Sequence, residues 1–250
     1  MTKILLKSIK LILIAIQILC IQKVFALPEG FVYLKDIDPT IIENLRYCES
    51  ENFVGQKIKG YEANKVIITQ AAAVNLAKVQ KELLAEGYSL VIYDGYRPQK
   101  AVDHFIKWSQ DSKDQINKKK YYPRVNKGDV FDLGYVAKKS GHSRGSTLDL
   151  TIIKSNSTLK KITTNDRKLL NNQIVLYLDD GTVDMGTSFD LFDEASHHDG
   201  ILIKQEYLDM RNYLRTVMNR NGFKEHAKEW WHYTLDQEPF PDTYFDFDVK

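Results

Sequence analysis

The chain contains 250 residues, of which 27% are charged, and its formal net charge at pH 7 is +2. This near-neutral balance, with no long basic run, argues against nucleic acid as the main partner. The sequence shows no internal repeat and no linker-like stretch, so we expect no boundary between folded domains.

Residues 1–26 have the layout of a secretory signal peptide. Lysines precede an apolar run over 11–16, which Gln17 interrupts, and Val24 and Ala26 occupy the −3 and −1 positions of a cleavage site. The run is short for a membrane span, although an uncleaved anchor is the alternative. We therefore predict a periplasmic or secreted protein with no stable membrane association after cleavage.

Cleavage would remove 26 of the 250 residues, with four lysines and no acid, and would change the net charge from +2 to −2. The remaining 27–250 segment is long enough for one domain with a substantial core. Cys48 would be its only cysteine, so the exported protein must be stable without an intrachain disulfide. The sequence does not define an oligomeric state.

The first half of this domain predicts a helix, a strand and a second helix. Apolar residues recur at helical spacing over 66–87, with Thr69 as a plausible N-cap. The apolar run 89–94 predicts a buried strand. The second helix should begin near Pro98, because proline is tolerated in the first turn.

The second half contains a central strand, a polar stretch and a third helix. Alternating polar and apolar residues predict a strand over 147–152, and helical spacing predicts a helix over 205–219. Between them, 154–180 is polar, and only 174–178 is strand-like. Because Asp179-Asp180-Gly181 is typical of a turn, we predict a surface hairpin that reverses there.

A candidate metal site lies at the start of the central strand. His142 and Asp149 are seven residues apart, and Gly145 allows the loop to bring the histidine back over the strand. An imidazole and a carboxylate brought together in this way are possible zinc ligands. The alternative is a polar turn in which a buried aspartate pairs with a neighbouring histidine.

The C-terminal region supplies the rest of a catalytic constellation. His232 would be a third ligand, which leaves a fourth position for water, and Glu229 could act as general base. The alternative for this segment is an aromatic core strand with polar ends. Arg97 is the best candidate to stabilise negative charge on a scissile carbonyl, although it could instead simply pair with Asp94.

These residues occur in motifs that resemble the zinc D-alanyl-D-alanine dipeptidases, the VanX-type branch of the M15 metallopeptidases. The resemblance covers nearly all of 27–250 and implies a single α+β domain in which a small antiparallel sheet, flanked by helices, carries the metal, as in the related Hedgehog fold. The matching segments are Tyr93-Asp94-Gly95-Tyr96-Arg97-Pro98, 140–149, Phe189-Asp190 through Ser196-His197-His198, and Glu229-Trp230-Trp231-His232-Tyr233.

The resemblance also implies roles for individual residues. It implies one Zn²⁺ on His142, Asp149 and His232, with Glu229 as general base and Arg97 stabilising the tetrahedral intermediate. It further implies that Tyr47 and Asp190 lie near the ammonium of a small D,D-dipeptide and that Ser140 lines the pocket. We assign His197 and His198 to pocket support or the surface, and His104 and His226 to structural or solvent-facing positions.

The expected activity is zinc-dependent hydrolysis of D-Ala-D-Ala to two D-alanines. A D,D-carboxypeptidase acting on longer peptidoglycan stems is the near alternative, and a non-catalytic zinc-bearing binding module is the alternative from another class. The sequence departs from the family at Thr147 and Cys48, and 154–180 is longer than expected. Because the predicted signal peptide implies export, we expect a role in cell-wall dipeptide turnover.

Overall fold

A computed structural model describes residues 27–250, so the predicted signal peptide and its cleavage site lie outside the described residues. None of the helices in the described part is long and apolar enough to cross a membrane. The α-helices are α1 (Leu34–Ile37), α2 (Gln70–Ala85), α3 (Gln99–Gln110), α4 (Lys118–Tyr121) and α5 (Gln205–Arg220). The strands are β1 (Phe31–Tyr33), β2 (Ile42–Glu43), β3 (Ile67–Thr69), β4 (Tyr88–Asp94), β5 (Thr147–Lys154), β6 (Thr163–Lys168), β7 (Ile174–Asp179), β8 (Phe223–His226) and β9 (Glu229–Leu235).

A five-stranded sheet organises the molecule, in the order β2-β4-β5-β9-β8. Only the β2–β4 pair is parallel in this sheet, and the other three pairs are antiparallel. The predicted α+β domain with a mainly antiparallel sheet is therefore confirmed. The register places Asp149 opposite both Asp94 on β4 and His232 on β9, so three strands bring polar side chains to one region of the sheet.

Helix α2 packs an apolar stripe against this sheet. Ala73, Leu76, Val79 and Leu83 recur every three or four residues and are fully buried. The helix begins at Gln70, and the Thr69 hydroxyl accepts a hydrogen bond from the backbone N–H of Ala72, as an N-cap does. The predicted start at 66 is wrong, because the preceding residues pair with β1 as strand β3.

The polar stretch before residue 180 forms a hairpin of β6 and β7. The strand over 174–178 is confirmed, and the chain does turn at 179–181, where the Asp179 carboxylate accepts the Gly181 N–H at 2.9 Å and Gly181 has a φ of +90°. The hairpin itself reverses earlier, where the Leu169 N–H donates to the Gln173 carbonyl at 2.8 Å and Asn172 takes a φ of 67°. Asparagine tolerates this left-handed conformation better than most residues, so Asn172 suits the reversal.

Candidate active site

A short 3-10 turn, Gly141–Arg144, carries His142 to the edge of the sheet. The Ser140 hydroxyl accepts a hydrogen bond from the His142 N–H at 3.3 Å and begins the turn. Gly145 ends it with a φ of +85°, and a Cβ there would lie 2.2 Å from a ring carbon of Phe31. Both the conformation and the close packing require glycine, which explains how the loop returns directly into β5.

The three predicted metal ligands converge at this edge. Asp149 Oδ1 lies 3.3 Å from His142 Nε2 and 3.1 Å from His232 Nδ1. The two imidazole nitrogens are 3.4 Å apart, and the three candidate ligand atoms all lie within 4.8 Å of one another. The Asp149 oxygen is buried and accepts no protein hydrogen bond, although a buried polar atom normally has a partner.

The second nitrogen of His142 determines which atom faces this cluster. Nδ1 lies 2.8 Å from the Gly95 carbonyl oxygen, so it carries the proton and leaves the Nε2 lone pair free for a cation. Burial lowers the pKa of both His142 and His232, which keeps the imidazoles neutral near pH 7. Two neutral imidazoles and a carboxylate form a donor set that fits zinc.

Arg97 is held beside the cluster by two carboxylates. Its Nε donates to Asp94 at 2.9 Å and its Nη2 donates to Asp149 Oδ2 at 3.3 Å. Asp94 also accepts a hydrogen bond from the Tyr61 hydroxyl at 2.6 Å, which fixes the carboxylate that orients the guanidinium. The pairing with Asp94 and the approach to the site are thus compatible, and the two sequence interpretations of Arg97 do not exclude each other.

Glu229 lies at the start of β9, next to the cluster. Its Oε2 is 3.4 Å from His232 Nδ1, and the residue is only 6% exposed. Burial raises the pKa of Glu229 well above its ordinary value, and the charges of Asp149 and Asp190 act in the same direction. A buried carboxyl with a raised pKa is suited to accept and return a proton near neutral pH.

Asp190 is a second acidic residue that lines the cavity. The Tyr47 hydroxyl donates to Asp190 Oδ2 at 2.8 Å, and Asp190 is 4% exposed. Burial raises the pKa of this carboxyl well above its ordinary value, with a further contribution from the charge of Asp149. A ligand ammonium placed here would favour the ionised carboxylate.

All eight residues predicted from the sequence line one cavity of about 230 Å³. Sequence reasoning missed His226, which also lines this cavity and whose ring centroid is 5.3 Å from that of His232. His226 reaches the cavity wall because β8 pairs with β9. No local sequence pattern around His226 indicates this pairing. The predicted residues are Tyr47, Arg97, Ser140, His142, Asp149, Asp190, Glu229 and His232.

One buried and one partly buried imidazole converge with a carboxylate on one point, beside a further acid and a guanidinium. This arrangement is that of a metal-dependent hydrolase. Comparison with known proteins identifies the family. The chain belongs to peptidase family M15, described as D-ala-D-ala dipeptidase, whose profile matches residues 28–163 and 170–250. It is therefore a zinc peptidase.

Curated relatives cover the same region. A D-alanyl-D-alanine dipeptidase of Enterococcus faecalis is 39% identical over 88% of this chain and 98% of its own length. Proteins with the same name from Streptomyces coelicolor and Enterococcus faecium are 38% and 36% identical, each with the same coverage. The predicted family is thus confirmed. The gap in the family match, 164–169, falls in the β6–β7 hairpin.

Proposed function

We propose that this chain hydrolyses D-alanyl-D-alanine to two D-alanines, with one zinc ion held by His142, Asp149 and His232. The observation that carries the proposal is the convergence of these three donor atoms within 4.8 Å at one cavity. The dipeptide comes from the names of relatives that are 36–39% identical over nearly their whole length.

Zinc held by these three residues would supply Lewis acidity to the scissile carbonyl and to the attacking water. Glu229 takes the proton from that water and passes it to the leaving amine, a role that its burial and raised pKa favour. Arg97 places a fixed positive charge where negative charge develops on the carbonyl oxygen. Because Asp94 and Asp149 already orient the guanidinium, it does not need to reorganise during the reaction.

Asp190 and Tyr47 bind the free ammonium of the substrate, and Ser140 lines the pocket on the loop that carries His142. An ammonium buried without an acidic partner would cost several kcal/mol, so the ion pair with Asp190 selects peptides with a free amino end near the scissile bond. A long stem peptide places an amide there instead, and a neutral amide cannot replace this interaction.

A chain consisting of residues 27–250 tests the activity. We expect release of free D-alanine from D-Ala-D-Ala, loss of this release with a chelator, and recovery when zinc is added back. Failure to cleave the dipeptide in the presence of zinc would contradict the proposal. Cleavage of a stem pentapeptide in preference to the dipeptide would instead identify a D,D-carboxypeptidase.

The cellular role that we propose is turnover of cell-wall dipeptides outside the cytoplasm. The signal-peptide layout of residues 1–26 supports this role, because an exported enzyme cannot draw on a cytoplasmic dipeptide pool. Fractionation of the native host, with mass spectrometry of the N-terminus, tests it. Recovery of the protein in the cytosol with residues 1–26 intact would contradict this location.

A further inference from the structure

Asp180 is a buried carboxylate outside the proposed catalytic constellation. It follows β7 directly, is 3% exposed, and is not among the residues that line the active-site cavity. Its Oδ2 accepts the Tyr93 hydroxyl at 2.6 Å and forms an ion pair with Arg46. Its Oδ1 accepts both the backbone N–H and the hydroxyl of Thr182, at 3.1 and 2.6 Å. Both oxygens are therefore fully engaged.

Two partners of Asp180 that are distant from it in sequence, Arg46 and Tyr93, connect it to the proposed ammonium pocket. Arg46 immediately precedes Tyr47 in a 3-10 turn. The Tyr93 ring stacks on Phe189, which precedes Asp190, with ring centroids 4.7 Å apart and planes at 25°. Asp180 is therefore connected to both halves of the Tyr47–Asp190 pair, in each case through the residue next to it.

Asp190 needs such support, because its backbone has a φ of 59°. This left-handed conformation costs free energy for residues other than glycine, although less for aspartate than for most, so contacts around Asp190 help to hold it. The loop that carries Asp190 is also held at Ser188, whose hydroxyl accepts a hydrogen bond from the Leu178 N–H at 2.6 Å. The end of β7 thus contacts the Asp190 loop directly at Leu178 and indirectly, through Tyr93, at Asp180.

We propose that Asp180 is a positioning residue, carried by the β6–β7 hairpin, that sets the separation of Tyr47 and Asp190 and thereby the selectivity for a free amino end. This inference rests on the proposed function, in which that pair binds the substrate ammonium. The hairpin thus contributes to recognition through the end of β7, next to Asp180, while 164–169, which includes most of β6, lies outside the family match.

The test compares Asp180→Asn with Asp166→Asn, the same isosteric change at an exposed position of the same hairpin. The probe is a phosphinate analogue of D-Ala-D-Ala, prepared with and without its amino group, and its inhibition constants are measured on zinc-loaded enzyme. We expect Asp180→Asn to weaken the amino form about tenfold and the des-amino form less than twofold. We expect KM for the dipeptide to rise by a similar factor with little change in kcat. Asp166→Asn should resemble the wild type in every measurement.

A second variant distinguishes a positioning role from a failure of Asp180→Asn to fold. Tyr93→Phe removes the hydroxyl donated to Asp180 but keeps the ring that stacks on Phe189. It should shift the ratio of the two inhibition constants in the same direction, by a smaller factor. Equal weakening of both forms, or an unchanged ratio in both variants, would overturn the positioning role. If the wild type binds both forms alike, the inference is also wrong. If the wild type fails to cleave the dipeptide at all, the proposed function itself is wrong.

Discussion

Individual side chains in this site each contact two different partners. Asp149 directs one oxygen to the two imidazoles and the other to Arg97. His142 directs one nitrogen to the Gly95 carbonyl and the other to the cluster. Because each side chain has two partners, replacing one residue changes several contacts. Tests at the residue scale therefore need a measurement of metal content beside the measurement of activity.

The first residue-scale prediction concerns the proposed base. We expect Glu229→Gln to lower kcat by about 10²–10⁴-fold, since the amide cannot accept the proton, while zinc content stays at one per chain. Glu225→Gln is the control, because Glu225 lies on the neighbouring strand near Arg215 and does not line the cavity. Steady-state kinetics and metal analysis check both variants. Activity in Glu229→Gln equal to that of the control would show that another group is the base.

The second residue-scale prediction concerns the proposed ligands. His232→Ala removes one of three donors, so we expect it to lose both zinc and activity. His104→Ala is the control, because His104 accepts the Lys59 N–H at 3.3 Å on the surface and lies outside the cavity wall. Metal content after dialysis against a weak chelator checks the pair. Full zinc occupancy in His232→Ala would mean that the ligand set is misassigned.

At the scale of elements, the strongly periodic segments were predictable and their ends were not. The strand that carries Asp149 was predicted because Leu148, Leu150 and Ile152 alternate with polar residues and are all buried. The start of α2 was misplaced because the residues before Gln70 pair with β1, a contact that the local pattern does not encode. Tertiary pairing thus decided between two locally acceptable structures.

The cavity residues also differ in how far the sequence alone predicts them. His142, Asp149 and His232 were predictable because they are zinc-ligand residue types and because Gly145 allows the loop to return over the strand that carries Asp149. Arg97, Tyr47 and Asp190 drew much or all of their assignment from the family resemblance. His226 and Asp180 were missed, since each acquires its neighbours from a pairing of strands or loops distant in sequence.

The element-scale prediction concerns the turn that carries His142. Gly145→Ala would place a methyl group against Phe31 in a backbone conformation that disfavours L side chains. We expect it to lower the free energy of unfolding by about 1–3 kcal/mol and to weaken zinc binding. Gly128→Ala is the control, because a Cβ there has no heavy atom within 4 Å among the described residues and its φ is not positive. Urea unfolding checks both variants, and equal stability would contradict this explanation of the turn.

At the scale of the whole molecule, the proposed metal site exists only in the folded chain. Asp149 and His232 meet through the β5–β9 register, although 83 positions separate them in the sequence. The unfolded chain cannot gather these donors, so zinc binding must add to the stability of the fold. The sheet strands β4 and β5, each buried at all but one residue, link this site to the core.

We therefore expect zinc to raise the melting temperature. At a free zinc concentration of 100 times Kd, the stabilisation is about 2.7 kcal/mol, which for a domain of this size corresponds to roughly 5–10 °C. Calorimetry with zinc and with a chelator measures the shift. His142→Ala should abolish it, and a shift of undiminished size in that variant would place the stabilising ion elsewhere.

Anomalous diffraction at the zinc edge, from crystals of residues 27–250 grown with zinc, locates the metal directly. We predict one strong peak, about 2.0–2.2 Å from His142 Nε2, Asp149 Oδ1 and His232 Nδ1. A strong peak at other residues, or none at these three, would contradict the assignment of the catalytic metal.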